Sequence, residues 1–102
     1  MKRLLILLIG IIFISACIGN ETREDAISLC VQECQSRSPA SLMRGPCLLD
    51  PIPEYPDWVC DVAHSPRITT DNFPENQCSK FIEGTSHHFV EVSPECTLIQ
   101  AS

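Results

Sequence analysis

The chain has 102 residues, 13 of them acidic against seven basic, and a formal net charge of −6. That length holds one domain at most, and the acidic excess argues against a nucleic-acid partner, whose phosphates require clustered Lys and Arg. Seven cysteines and eight prolines in so short a chain point to a cross-linked, loop-rich body rather than one held by a large core.

Residues 1–16 read as a cleaved secretory signal peptide. Met1-Lys2-Arg3 supplies the positive start, Leu4 to Ile14 the apolar run and Ser15-Ala16 the small residues. The apolar stretch ends by Ile18, short of the roughly 20 residues that span a bilayer. Its last residues, Ile14-Ser15-Ala16-Cys17, resemble the lipobox of prokaryotic lipoproteins. The resemblance implies cleavage before Cys17 and a diacylglyceryl-type lipid on its thiol, and two acyl chains suffice for stable anchoring. Cleavage elsewhere would give a secreted protein, and no cleavage a marginal membrane anchor. Loss of Lys2 and Arg3 with the signal makes the −6 of the chain −8. Anionic headgroups would repel such a body, so attachment falls to the lipid.

Residues 17–21 read as a tether, and Asn20-Glu21-Thr22 matches a glycosylation sequon. A cysteine-rich extracytoplasmic domain is expected over 22–102. Thr22 is a candidate N-cap, with Glu24 and Asp25 in the first turn. Ala26, Leu29, Cys30 and Cys34 recur at helical spacing, and Pro39 closes the helix. Residues 38–57 hold five prolines and read as loop. Within them Pro51 to Pro56 favours extended backbone, and Tyr55 with nearby Trp58 is a candidate partner-binding surface. Trp58, Cys60 and Val62 alternate as in a strand, although Asp57 could also cap a helical turn there. After a loop over 64–74, residues 75–83 predict a short helix that presents Cys78, Phe81 and Ile82, with Gly84 as its stop. Residues 87–92 and 97–100 flank Ser93-Pro94-Glu95 as a hairpin. Alternation there sets His88, Val90 and Val92 on one face and Phe89 and Glu91 on the other. The fold class expected is α+β, a small disulfide-stapled domain with an N-terminal helix and a C-terminal β-hairpin.

With Cys17 assigned to lipid, Cys30, Cys34, Cys47, Cys60, Cys78 and Cys96 form an even set, hence three disulfides in an oxidising compartment. Six cysteines allow about 15 pairings. Cys30 and Cys34 lie one helical turn apart with parallel side chains, so each is expected to find a different partner.

Candidate chemistry is sparse. His64, His87 and His88 are candidate metal ligands, with Asp61 three residues before His64 as a carboxylate partner. Adjacent His87 and His88 would face opposite ways on a strand. Asp71 to Asn76 is an oxygen-rich loop of the kind calcium favours, although capping explains Asp71 and Asn72 as well. A Ser–His–Asp set drawn from Ser65 or Ser86 lacks any nucleophile elbow. Cys-x-x-Cys and a Gly-rich phosphate loop are both missing from the sequence. No catalytic residue and no cofactor is expected.

Together the lipobox, the six-cysteine body and Trp58-Val59-Cys60-Asp61-Val62-Ala63-His64-Ser65-Pro66-Arg67 resemble small cysteine-rich archaeal lipoproteins. That resemblance implies location and disulfides, and assigns no functional residues. The expectation is a membrane-anchored binding or structural module at the cell envelope, with an envelope protein as partner. The alternative is an envelope metal-binding protein that uses His64, His87 or His88 with carboxylates.

Overall fold

The computed structural model describes residues 18–102, with side chains from Glu21 onward. The expected signal peptide and Cys17 lie outside the described residues. The architecture is the α+β domain expected: one long helix, a four-stranded sheet and three disulfides.

Helix α1 spans Ile18–Gln35. Its buried stripe is Ala26, Cys30 and Cys34, each without solvent exposure and spaced by four residues, so they stack on one face. The helix runs further toward the N-terminus than its expected cap. Thr22 lies inside it, and residues 18–21 are helical rather than a free tether. No proline interrupts that stretch, and each added residue of a nucleated helix gains a hydrogen bond. The helix ends before Pro39, as expected. Arg37 holds the exit, donating to the Glu33 carboxylate at 2.8 Å and to the Leu48 carbonyl at 3.1 Å. Ser38 then caps a single turn, α2 (Pro39–Leu42), with Pro39 in the first helical turn.

The sheet comprises β1 (Cys47–Leu49), β2 (Trp58–Val62), β3 (His88–Val92) and β4 (Leu98–Ala101), in the spatial order β1-β2-β3-β4. β1 pairs antiparallel with β2, β2 parallel with β3, and β3 antiparallel with β4. The last pair is the expected hairpin. Its turn is closed by the Ser93 and Thr97 hydroxyls 2.7 Å apart and by Cys96 at φ 66°. A non-glycine residue rarely adopts that conformation, and here the disulfide to Cys34 ties it down. β1 lies inside the stretch expected to be loop, and at three residues it is too short to show a period. The Pro51–Pro56 run is a compact turn and not an extended surface. Ile52, fully buried, donates its N–H to the Trp58 carbonyl at 2.8 Å and accepts from Tyr55 N–H at 3.1 Å.

Strand alternation gives the sheet two different faces. Trp58, Cys60, Val62, Val90 and Val92 form the core with α1. Each fully buried valine there contributes about 1.5–3 kcal/mol. Val59, Asp61, Phe89 and Glu91 occupy the other face. Parallel β2 and β3 require a long crossover, and residues 63–87 supply it. It carries 3-10 turns at Thr69–Asn72 and Pro74–Asn76, then a single turn, α3 (Ser79–Ile82), in place of the longer helix expected over 75–83. Pro74 and the cysteine at 78 divide that stretch. Gly84, at φ 81°, terminates it as anticipated.

All six cysteines of the domain are paired: Cys30–Cys60, Cys34–Cys96 and Cys47–Cys78. The two helical cysteines do take different partners, one on β2 and one at the hairpin turn. Cys47–Cys78 ties the crossover to β1. The longest closure, Cys34–Cys96, spans 62 residues, which chain entropy values at about 4 kcal/mol. Replacing both by alanine is expected to lower the unfolding free energy by about that amount in a urea titration. A loss under roughly 1 kcal/mol would mean that this staple constrains little of the unfolded chain.

Candidate functional site

The site grows from the face of the sheet that α1 does not cover. Asp61 on β2 and Glu91 on β3 are direct cross-strand neighbours, as are Val59 and Phe89 one step earlier. Two carboxylates are thereby placed side by side on a half-buried surface. The crossover brings Arg67 back over them. Its guanidinium donates to Glu91 Oε2 at 2.6 Å and is steadied by the Asn72 side chain and the Asp71 carbonyl. Gln100 on β4 donates to the other Glu91 oxygen at 3.4 Å. Glu91 is thus paired with a cation and Asp61 is not. Asp61 Oδ1 is buried without a hydrogen-bond partner.

These groups form the floor of a cavity of about 180 Å³. Its rim is apolar. Phe81 meets Phe89 edge-on, with ring centres 5.2 Å apart, and Ile82 is 66% exposed beside them. Burial, reinforced by the neighbouring Glu91 carboxylate and opposed by Arg67, pushes the Asp61 carboxyl up to about 8. Around neutral pH it therefore carries its proton.

Asp71 shows the opposite outcome. It is 1% exposed, yet its Oδ2 accepts the N–H groups of His64 and Ile68 at 2.9 and 3.0 Å, and its Oδ1 meets His64 Nδ1 at 2.9 Å. Burial alone would raise its pKa, but these donors outweigh burial and hold it below the ordinary carboxylate value. The oxygen-rich loop is accordingly a self-satisfied turn and not a calcium loop. Asn76 and Gln77 donate inward to the Thr70 and Asp71 carbonyls. Gly45 is required here: at φ 69° it lies against Asp71, where a Cβ would collide with the carboxylate.

The other expected site residues are dispersed. His64 pairs with Asp71, not with Asp61. His88 sits beside Trp58 in the β2–β3 register, and His64 follows Trp58 by six residues. His64 and the C-terminal histidines are thus roughly 20 Å apart along the strand direction and cannot share an ion. His87 and His88 turn toward one carboxylate instead of opposite ways: Asp57 meets His87 Nδ1 at 2.6 Å and His88 Nε2 at 3.5 Å. The His87 donors hold Asp57 below its usual value. Trp58 is buried and stacks on His88 at 4.7 Å, so it presents little surface to a partner. Tyr55 donates its hydroxyl to Asp25 at 2.7 Å and ties the proline-rich turn to α1. Ser86 is buried and its hydroxyl donates to the Pro56 carbonyl at 2.6 Å, not to a histidine. Among the described residues one compact set of potential metal ligands occurs, Cys47, Asp50 and Cys78. Its sulfurs are joined as a disulfide, and Asp50 accepts from Ser79 and Lys80 at the start of α3.

The Asp61–Glu91–Arg67 cluster is absent from the sequence reading. Its signal was present: an acidic residue stands between buried valines in Val59-Cys60-Asp61-Val62 and again in Phe89-Val90-Glu91-Val92. Only strand order, however, shows that the two are neighbours. No family model, no curated protein and no solved structure matches the chain.

The raised Asp61 pKa makes stability depend on pH in a definite sense. The native state keeps a proton that the unfolded chain releases near 3.8. Stability from this group is therefore full below about 4, declines as pH rises, and is gone above about 8. Asp61→Asn is expected to match the wild type near pH 4 and to exceed it by on the order of 6 kcal/mol at pH 9. Urea unfolding at the two values measures this, and an equal difference at both would refute it.

Proposed function

We propose that the chain is a lipid-tethered extracytoplasmic binding module of the cell envelope, resembling the small cysteine-rich lipoproteins. The observation that carries this reading is the disposition of the cysteines. All six in the domain are consumed in disulfides, a condition that persists in oxidising compartments. Cys17, at the end of the apolar segment, is left over. A helix begins at Ile18, directly after that residue, so a lipid on Cys17 would hold the domain close to the bilayer. No helix among the described residues is long and apolar enough to cross a membrane, which leaves attachment to the segment before it.

Binding rather than structure alone is favoured by the cavity over Asp61 and its exposed apolar rim. Isolated exposed apolar residues are ordinary. Phe81, Ile82 and Phe89 are grouped around an acidic floor, the mixture of apolar wall and few polar groups found in ligand sites.

Membrane fractionation tests the tether. Wild-type protein is expected in the membrane fraction with a mass shifted by diacylglyceryl-type modification, and Cys17→Ser in the soluble extracytoplasmic fraction. A Cys17→Ser protein that stays membrane-bound would make the N-terminal segment an ordinary anchor and end the lipoprotein reading.

A further inference from the structure

We infer that the cavity formed by Asp61, Glu91, Arg67, Phe81, Ile82 and Phe89 binds a small primary ammonium carried on an aromatic body. This deepens the binding-module reading and rests on it, but not on the tether. Size comes first. The cavity measures about 180 Å³, slightly more than the roughly 150 Å³ of an apolar cavity that takes up benzene. One ring with a short chain fits, and a folded peptide segment does not.

Charge comes second. The ionisable groups that face Asp61 are Glu91 from β3 and Arg67 from the crossover, with Asp71 further along the same loop. Arg67 is committed to Glu91 at 2.6 Å, and Asp71 to His64 and Ile68. The sheet thus keeps one carboxyl without a cation, and its Oδ1 is buried and unpartnered. An ammonium supplies a positive charge, and its N–H donors meet the carboxyl where Asp61 lines the cavity. A carboxylate ligand would add negative charge beside Glu91 and oppose ionisation of Asp61, and a neutral alcohol would supply no charge. The wall suits the body of such a ligand: the edge-on Phe81–Phe89 pair offers ring faces to an aromatic group and to a cation.

Binding is coupled to a proton. Asp61 holds its proton near neutrality in the free protein, and the ammonium favours the carboxylate, so the proton leaves to solvent as the ligand enters. Affinity should then rise from pH 6 toward pH 9 while the amine, near the lysine value of about 10.4, stays charged. The source favoured is a free amine, because the cavity is ring-sized.

The test is a titration of the full-length chain in non-ionic detergent, followed by amide NMR shifts. The probes are phenethylammonium, phenethyl alcohol and Phe-Gly-Gly-amide. Phenethylammonium is expected to give saturable shifts at Asp61, Phe89 and Glu91, with phenethyl alcohol at least about tenfold weaker, the worth of a charged hydrogen bond. Asp61→Asn should lose about tenfold and abolish the pH dependence, and Phe81→Ala should weaken binding with the pH dependence retained. Unchanged shifts elsewhere in the two variants report that they are folded. No saturable shift with phenethylammonium, equal binding of the alcohol, or undiminished binding by Asp61→Asn overturns the proposal. Binding of Phe-Gly-Gly-amide without phenethylammonium overturns the choice of a free amine. None of these outcomes bears on release of Cys17→Ser from membranes, so failure here and failure of the tether are separate results.

Discussion

The Cys30–Cys60 disulfide is the constraint from which the rest of the arrangement follows. Both residues are without solvent exposure, one on the inner stripe of α1 and the other in the middle of β2. Joining them fixes which face of the central strand meets the helix. Because side chains alternate along a strand, fixing Cys60 inward fixes Trp58 and Val62 inward as well, and turns Val59 and Asp61 outward. The parallel register then carries the choice to β3, with Val90 inside and Phe89 and Glu91 outside. A single covalent link therefore decides both where the core lies and where the carboxylates lie. The other two disulfides close the perimeter around this axis, one at the hairpin turn and one between β1 and the crossover. For a domain this small, such staples replace the core that a longer chain would bury.

Asp61 and Asp71 show how much the local supply of donors matters. They flank the same stretch of chain, and both are withdrawn from water to some degree. Asp71 meets two backbone N–H groups and an imidazole, and its charge is stabilised. Asp61 meets a second carboxylate, and the one nearby cation is already engaged by that carboxylate. The first is an organising turn that explains the glycine at position 45. The second is a polar group left unsatisfied in the folded state, a condition that native structures keep rare and that is concentrated where ligands act. The domain gives up stability at neutral and alkaline pH to maintain it.

Much of the frame was legible in the sequence. The four-residue spacing of Ala26, Cys30 and Cys34 specifies a helix with one buried face, and the alternation of His88, Val90 and Val92 specifies a strand. Parallel side chains at Cys30 and Cys34 excluded their mutual pairing. Other features were hidden for physical reasons. The strand at Cys47–Leu49 is shorter than any period, and the proline-rich turn reads as extended because composition cannot show that Ile52 is swallowed by the core. Strand order is not written in periodicity, so β2 lying parallel to β3 across a crossover was invisible. The neighbouring carboxylates were invisible with it. A metal site from His64 and one C-terminal histidine was a candidate in the sequence, but the register that sets His88 beside Trp58 leaves His64 about a strand's length away.

The central claim is that the folded sheet keeps the Asp61 carboxyl protonated through neutrality by burying it next to Glu91. Titration of the aspartate side-chain carboxyl carbons by NMR, assigned at position 61, measures this directly. The expected midpoint is about 8, set well apart from the remaining aspartates. A midpoint near the ordinary value of 3.8 would show that Asp61 is solvated or paired in the folded protein, and would contradict the account of the site.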